Sequence, residues 1–118
     1  CAEHNKQAFI YAEGSWERFG DFFNKYPKGV CNMMVEQDDP YVLREKFPNL
    51  CLYGGLDVNL MGKEGAQDEC VDMAKKAIDE LGKDGGLILM PNKMVSYPFD
   101  MNSDNLKAVC DFVTTYEI

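Results

Sequence analysis

The fold is decided by residues 50–90, LCLYGGLDVNLMGKEGAQDECVDMAKKAIDELGKDGGLILM, in which two apolar runs flank one amphipathic segment. The runs, residues 50–53 and 86–90, lack polar alternation, which is typical of parallel strands covered on both faces. Between them an apolar stripe recurs at helical spacing: Cys70, Val71, Ala74, Ile78 and Leu81. Gly82 follows as a stop signal, so the stretch predicts a strand, a helix and a second, parallel strand.

Two further apolar runs, residues 8–12 and 30–35, precede this unit, and each is followed by a helical pattern. After the first run we predict a helix that Ser15 caps. Its apolar stripe is Trp16, Phe19, Phe22 and Phe23. After the second run, Asp39 provides a capping oxygen and Pro40 suits the first helical position.

A fourth helical pattern follows the last run, and Asn102 or Ser103 can cap it. Its apolar positions again recur at helical spacing: Leu106, Val109, Cys110 and Val113. The complete order is therefore strand then helix, four times over. Strands that alternate with helices predict an α/β fold with a parallel sheet.

Order and length together predict the C-terminal (β/α)4 half of a TIM (β/α)8 barrel. The chain has 118 residues, whereas a closed barrel needs about 250. Four strands that curl as in a barrel need four more strands to meet their inner side chains. We therefore expect residues 1–118 to be one half-barrel whose N-terminal half is absent. The periodicity leaves two alternatives open, a small doubly wound domain and a dimer of two half-barrels.

Composition excludes several classes of protein. The net charge of -8 and the pI of about 4.5 argue against a nucleic-acid partner, which requires a basic face. No apolar run approaches the ~20 residues of a membrane span. The five cysteines are widely spaced and lack a CxxC pair, and most of them lie in apolar runs. We therefore expect buried, reduced thiols in a cytoplasmic protein.

Ligands of parallel α/β folds bind where the strands end, so the loops after the four runs are the candidate site. These loops carry Glu13, Glu36, Asp38 and Asp57, with Lys93 as their cation. Converging carboxylates can bind a metal or retain a proton on one carboxyl. The plainer alternative is that they cap helices or face solvent.

Several other features predict little chemistry. His4 is the only histidine, so the chain by itself holds no His-based triad and no HExxH zinc site. Gly54 and Gly55 are not followed by a nucleotide-binding motif, so a sharp exit from the strand or a close ligand explains them better. Trp16 is more typical of a core residue than of a binding platform.

Four segments in this order resemble the uroporphyrinogen decarboxylase superfamily: residues 53–57 (YGGLD), the helix end 81–82 (LG), residues 85–89 (GGLIL), and residues 97–101 (YPFDM) through 105–106 (NL). That superfamily has a Gly-Asn-(Ile/Leu)-Asp-Pro strand end, a Gly-Gly-Tyr-Ile-Leu type final strand and a Pro-rich loop before an Asn-Val/Leu helix. The resemblance covers nearly the whole chain and maps it onto strands five to eight.

The resemblance implies a (β/α)8 barrel with its site at the C-terminal ends of the strands. Members either decarboxylate a tetrapyrrole without a cofactor or pass methyl groups to or from a corrinoid protein, many of them with zinc. The chain departs from both patterns. Residues 91–93 (PNK) stand where decarboxylases have Gly-His-Gly, and residues 11–13 (YAE) stand where zinc methyltransferases have His-x-Cys. Asn92 replaces their later Cys.

Placed on that frame, the candidate catalytic residues are Glu13, Glu36, Asp57 and Asn92. The candidate substrate-binding residues are Tyr11, Trp16, Gly54, Gly55 and Lys93. Glu13 and Glu36 are candidate zinc ligands, because zinc accepts carboxylate oxygen, but a His or Cys ligand would have to come from the other half.

The predicted function is methyl transfer between a small methylated substrate and a corrinoid protein. The alternatives are uroporphyrinogen decarboxylation in tetrapyrrole biosynthesis and a non-catalytic half-barrel that serves assembly. The predicted partners are the N-terminal half-barrel or a second copy of the chain, and a corrinoid protein, with neither nucleic acid nor membrane. Four strands alone are expected to be inactive, because catalytic residues of barrels come from several strands around the ring.

Overall fold

The computed structural model describes residues 1–117 of the chain. Its strands form one four-stranded sheet in the order β1-β2-β3-β4, and every neighbouring pair is parallel. The strands are β1 Ala8–Ala12, β2 Cys31–Val35, β3 Cys51–Leu56 and β4 Leu87–Pro91. The predicted strands and their common direction are confirmed.

Within residues 1–117, five α-helices follow or connect the strands, so the fold is α/β as predicted. They are α1 Gly20–Phe23, α2 Pro40–Lys46, α3 Val58–Gly62, α4 Gln67–Leu81 and α5 Ser103–Val113. Two 3-10 turns, Ala2–His4 and Glu17–Phe19, precede β1 and α1. None of the helices in this described part has the length and apolar character to cross a membrane.

Capping hydrogen bonds confirm two predicted helix starts. Asp39 Oδ1 accepts from a backbone N–H in the first turn of α2 at 2.8 Å, and Pro40 is the first residue of that helix. Asn102 Oδ1 accepts from the backbone N–H groups of Asp104 and Asn105 at the start of α5. Such oxygens satisfy the N–H groups that the first turn of a helix leaves without a partner.

The predicted helix start at Ser15 is wrong. The first turn after β1 is Glu17–Phe19, which begins after Trp16 and has no side-chain cap, and it runs into an α1 of 4 residues. The backbone N–H of Trp16 donates to Asp38 Oδ2 at 2.6 Å. A carboxylate from the neighbouring loop therefore fixes the chain where a local cap was expected.

All five helices pack on one face of the sheet, the covered face. Parallel strands in consecutive order with right-handed crossovers place every connecting helix on the same side. One core cluster joins covered-face residues of β1, β2 and β3 to Phe23, Leu43 and Phe47 of the first two helical segments. The other joins Leu56 of β3 to side chains of α3, α4 and α5. Its helical members are Met61, Cys70, Ala74 and Val109.

The opposite face of the sheet carries no helix among the described residues. Side chains alternate between the two faces along a strand, so the neighbours of the covered-face residues point away from the helices. These side chains form the open face: Phe9, Tyr11, Asn32, Met34, Cys51, Tyr53, Ile88 and Met90. Phe9 is 58% exposed and Ile88 is 44% exposed.

Two aromatic rings cover the middle of the open face. The Phe9 and Tyr53 rings meet edge to face with centroids 5.1 Å apart, although their strands are separated by β2. Alternate strands lie about 10 Å apart, so the rings must lean towards each other over β2. Met34 and Asn32 of β2 are consequently buried, and Asn32 Nδ2 donates to the Ala8 carbonyl at 3.3 Å.

The predicted apolar stripe of α5 is only partly correct. Val109 is buried as expected, but Leu106, Cys110 and Val113 are exposed, so the expectation of a buried Cys110 thiol is wrong. The inward position is taken by Asn105, whose Nδ2 donates to backbone carbonyls at the end of α3. A polar side chain that closes a neighbouring helix therefore sets the rotation of α5.

Candidate functional site

Polar residues follow all four strands directly at the edge where the strands end, the C-terminal edge. Glu13, Glu36, Asp57 and Asn92 are the first residues after β1, β2, β3 and β4. The strand register pairs Ala12 with Val35 and Leu56 with Pro91. The backbone of Glu13 therefore continues beside Glu36, and that of Asp57 continues beside Asn92. The structure thus brings the four predicted catalytic residues to one edge.

Asn92 ties three strand ends together. Its backbone N–H donates to the Leu56 carbonyl at 2.8 Å, which extends the pairing of β3 and β4 by one bond. Its side-chain Oδ1 accepts from the Val58 N–H at 3.0 Å, and its Nδ2 donates to the Glu36 carbonyl at 3.3 Å. The amide is thus used in positioning the loops after β2 and β3, a role that its sequence position alone does not reveal.

Glu36 and Lys93 form an ion pair across the C-terminal edge. The Lys93 Nζ lies 3.4 Å from Glu36 Oε1, with the Glu36 side chain mostly buried and that of Lys93 mostly exposed. Because one partner is exposed to solvent, the pair contributes little to stability, on the order of 0–1 kcal/mol. The pair brings one negative and one positive side chain together over the ends of β2 and β4.

Glu13 lies at one end of the C-terminal edge, after the edge strand β1. Within residues 1–117 its carboxylate takes part in no hydrogen bond or ion pair, whereas its backbone carbonyl accepts from the Trp16 indole N–H at 3.0 Å. The Trp16 ring packs against Phe19 and Phe23, with centroids 5.4 and 6.4 Å apart, on the helix side of β1. The structure therefore places Trp16 against the core and leaves the Glu13 carboxylate available to a ligand.

Asp57 acts as a helix cap. Its Oδ1 accepts from the Asn59 N–H at 2.9 Å and starts α3, a helix of 5 residues that is too short for a periodic pattern to predict. Its backbone N–H points at the Met73 sulfur of α4, 3.2 Å away. The plainer alternative for this carboxylate, capping, is the arrangement that is observed.

The remaining predicted binding residues divide between the two faces. Tyr11 lies on the open face, one residue before β1 ends, and is 38% exposed. Gly55 has φ of +94°, and a Cβ there would lie 3.0 Å from Ala77 Cβ and 3.2 Å from Leu89 Cδ1. The close neighbour of this glycine is helix α4, so packing explains it without a ligand. Gly54 beside it is buried.

A groove of about 520 Å³ lies next to the strand ends, between α3 and the loop after β4. Lys93 and Asn59 contribute polar groups, and Met94, Tyr97 and Phe99 contribute apolar surface. The loop is closed by Asp100, whose Oδ2 accepts from the backbone N–H groups of Ser96 and Tyr97 at 2.9 Å. This groove was not predicted from the sequence. A signal that could have indicated it is the segment 97–100, YPFD, whose two aromatic side chains belong to no periodic apolar pattern.

A smaller cavity of about 190 Å³ lies on the helix side of the C-terminal edge. It is bounded by the ends of β2 and β3, by Tyr41 of α2 and by Met73 of α4. Burial raises the pKa of the Tyr41 phenol, and nearby Glu80 and Asp39 raise it further. A neutral phenol in a mostly apolar lining is typical of packing space behind a site.

The donor set of this chain does not by itself fit zinc. Among residues 1–117, no group of three or more His, Cys, Asp or Glu side chains is arranged to hold a metal ion. Of the two candidate ligands, Glu36 is already paired with the Lys93 ammonium. Zinc in proteins takes four ligands, or three and a water, so Glu13 and Glu36 would need the other half of a barrel to supply the rest.

Comparison of the chain with models of protein families, with curated proteins and with solved structures found no match. The parallel α/β fold and the geometry of the C-terminal edge are therefore read from the structure alone. The superfamily and its chemistry stay predictions that rest on the four resembling segments.

Proposed function

We propose that the chain is the C-terminal half of a (β/α)8 barrel of the uroporphyrinogen decarboxylase superfamily. Three features of the structure support a half-barrel. The strand order is consecutive and parallel, the helices lie on one face, and the open face is largely apolar. A doubly wound domain has helices on both faces of its sheet, so that alternative accounts less well for the described residues.

The observation that carries the proposal is the junction of the apolar open face with a polar C-terminal edge. In a (β/α)8 barrel the inner face of the strands is a packed core, and the catalytic groups stand at its C-terminal end. Here the open face ends in Tyr11 on β1 and Met90 on β4, directly below Glu13 and Asn92. An apolar interior followed by polar groups at the C-terminal end is the arrangement found along the strands of barrel enzymes.

The complete barrel is proposed to transfer a methyl group between a small methylated substrate and a corrinoid protein in the cytoplasm. Two of the four segments that carry the resemblance lie near this site. Residues 53–57 contain the end of β3, and Tyr97, Phe99 and Asp100 of the segment 97–101 line the 520 Å³ groove. The groove combines apolar surface with one cation, which suits a small, partly apolar substrate better than a large polyanion.

Lys93 and Glu13 receive distinct roles in this proposal. A methyl group that leaves an oxygen or nitrogen as a cation equivalent leaves its electron pair behind, so negative charge develops on that atom. The ammonium of Lys93, which is mostly exposed beside Glu36, is proposed to neutralise such charge. The Glu13 carboxylate, at the end of β1 and outside the groove, is proposed to orient the part of the substrate that reaches this strand end.

Tetrapyrrole decarboxylation receives less support from the same residues. A substrate with several carboxylates needs several cations, whereas the four strand-end loops contain Lys93 as their one cation. The other half of the barrel would have to supply the remaining positive charge.

The test uses the complete barrel, that is, this chain together with the half that closes it. Lys93→Met and Glu13→Ala should each lower the rate of methyl transfer from a methylated phenol or amine to a corrinoid protein by about a hundredfold, the loss typical of one electrostatic group. The rate is followed by the absorbance change of the corrinoid. Glu3→Ala, which removes another exposed carboxylate before β1, is the matched control and should leave the rate unchanged.

Two outcomes would overturn the assignment. The first is methyl transfer that neither Lys93→Met nor Glu13→Ala affects. The second is conversion of uroporphyrinogen to coproporphyrinogen by the same protein, which would assign it to the decarboxylases.

A further inference from the structure

The two edges of the sheet are unprotected. β1 and β4 each pair with only one neighbour among the described residues, so each presents a row of unpaired backbone groups. Natural edge strands usually carry a charged residue or a bulge that prevents pairing with another chain. Here β1 reads AFIYA and β4 reads LILMP, without a charge in either. Only Pro91, at the last position of β4, limits pairing.

We propose that a second copy of this chain takes the place of the N-terminal half and covers the open face, with β4 of each copy paired in parallel to β1 of the other. This inference rests on the half-barrel of the proposed function and names its partner. A two-fold axis along the strands keeps all of them parallel and continues the order β1-β2-β3-β4. Four strands from each copy give eight, the number at which a parallel barrel closes on a filled interior.

The helices at the two edges support the same pairing independently. Beside β1, Phe19 and Phe22 are 41% and 52% exposed, and beside β4, Leu106 and Val113 on α5 are 43% and 39% exposed. Consecutive helices of a barrel pack on each other, as α4 and α5 do here. Closing the ring would set α5 of one copy beside α1 of the other, which brings these exposed apolar groups together.

The available area suits a stable dimer. Such interfaces bury about 800 Å² on each partner. Aromatic side chains bury about 150–250 Å² each, so the exposed parts of Phe9, Tyr11, Phe19 and Phe22 amount to roughly 300–450 Å². Ile88, Leu106, Val113 and the two strand edges are expected to supply most of the remainder.

The pairing also completes the candidate site. With a two-fold axis along the strands, both C-terminal edges lie at the same end of the barrel. Glu13, Glu36, Asp57 and Asn92 would then each occur twice around one opening. A single copy provides only half of that ring.

The experiment measures the mass of the 118-residue chain by size-exclusion chromatography with light scattering over a range of concentrations. We expect twice the chain mass of 13.4 kDa. Phe9→Asp puts a charge at the centre of the interface and should return the mass to 13.4 kDa with an unchanged far-UV spectrum. Phe99→Asp is the matched control, because Phe99 is 94% exposed on the loop after β4, and it should stay dimeric.

Because Phe9 contacts Tyr53, a second variant guards against loss of the fold. Ile88→Lys lies on the opposite edge strand and should also give monomers. A monomeric chain at every concentration would overturn the pairing, and so would dimers that persist in both Phe9→Asp and Ile88→Lys. A monomer that instead binds a separately supplied N-terminal half-barrel would overturn self-pairing while leaving the half-barrel, and the methyl-transfer assay, unaffected.

Discussion

The two faces of the sheet are built from alternate residues of the same strands, yet they differ in what packs on them. Leu52 of β3 faces the helices and is completely buried, whereas Ile88, paired with the neighbouring Tyr53, faces the other way and is 44% exposed. Both faces are largely apolar. It follows that apolar composition determines which side chains favour burial. The strand order determines which face the helices cover, and so which of these side chains are buried within one chain.

The open face is not uniformly exposed, because one of its side chains, Met34, is buried. Met34 is only 3% exposed although no helix of residues 1–117 lies above it. The Phe9 and Tyr53 rings, which contact each other, shield Met34 from solvent, so a small apolar cluster exists on the open face. Phe9 and Tyr53 can bury β2 beneath them, but Phe9 on β1 and Ile88 on β4 remain exposed.

The largest effect is expected when one deletion is compared between the two faces. Leu52→Ala removes a fully buried side chain from the covered face and should lower the free energy of unfolding by about 2–5 kcal/mol. Ile88→Ala removes a similar volume from the open face and should cost about 1 kcal/mol or less. Urea unfolding at low protein concentration measures both. Equal losses would mean that the open face is as well packed as the covered one.

A second comparison tests how tightly the helices press on the covered face. Gly55→Ala combines a positive φ, which costs about 1–2 kcal/mol, with a Cβ 3.0 Å from Ala77, where overpacking costs about 1–3 kcal/mol. Gly14→Ala has a similar φ of +77° and no atom within 4 Å, so only the first cost applies. The difference between the two losses of stability, measured by unfolding in urea, therefore reports the packing of position 55 against Ala77 of α4 and Leu89 of β4. Identical losses would show that α4 has room to move.

The elements that the sequence predicts correctly are those that depend on residues close together in the chain. The four strands and α4 follow from local patterns, because an apolar run or a stripe of helical spacing lies within one segment. The position of α5 in the chain was predicted correctly, but the face that it buries was not. A contact with residues distant in the chain determines that face. Asn105 reaches the carbonyls of Met61 and Lys63 and so turns Leu106 outward.

For the candidate site, the location of the residues could be predicted from the sequence, but their roles could not. Parallel strands end at one edge, so Glu13, Glu36, Asp57 and Asn92 could be grouped from their positions alone. Their roles could not, because each depends on a partner distant in the chain. The Asn92 amide, for example, reaches the Glu36 carbonyl, and no spacing in the sequence indicates that contact.

The smallest effect is expected from thiol labelling, which leaves the chain unchanged and compares the faces directly. Burial raises the pKa of Cys31, Cys51 and Cys70, so at pH 8 less of each is the reactive thiolate, and labelling should accelerate as the pH rises. Cys51 on the open face is half-buried and should react faster than Cys31 or Cys70, which are buried. Mass spectrometry of labelled peptides follows each thiol.

The concentration dependence of that labelling then separates a permanently open face from one that a second copy covers. If the chain self-associates through the open face, the labelling rate of Cys51 should fall as the protein concentration rises. The rate at Cys70, which lies between α4 and the covered face, should stay constant because its burial is complete within one copy. A Cys51 rate that does not change with concentration would mean that the open face stays accessible to the reagent, and the contrast between the faces would then be a property of the single chain.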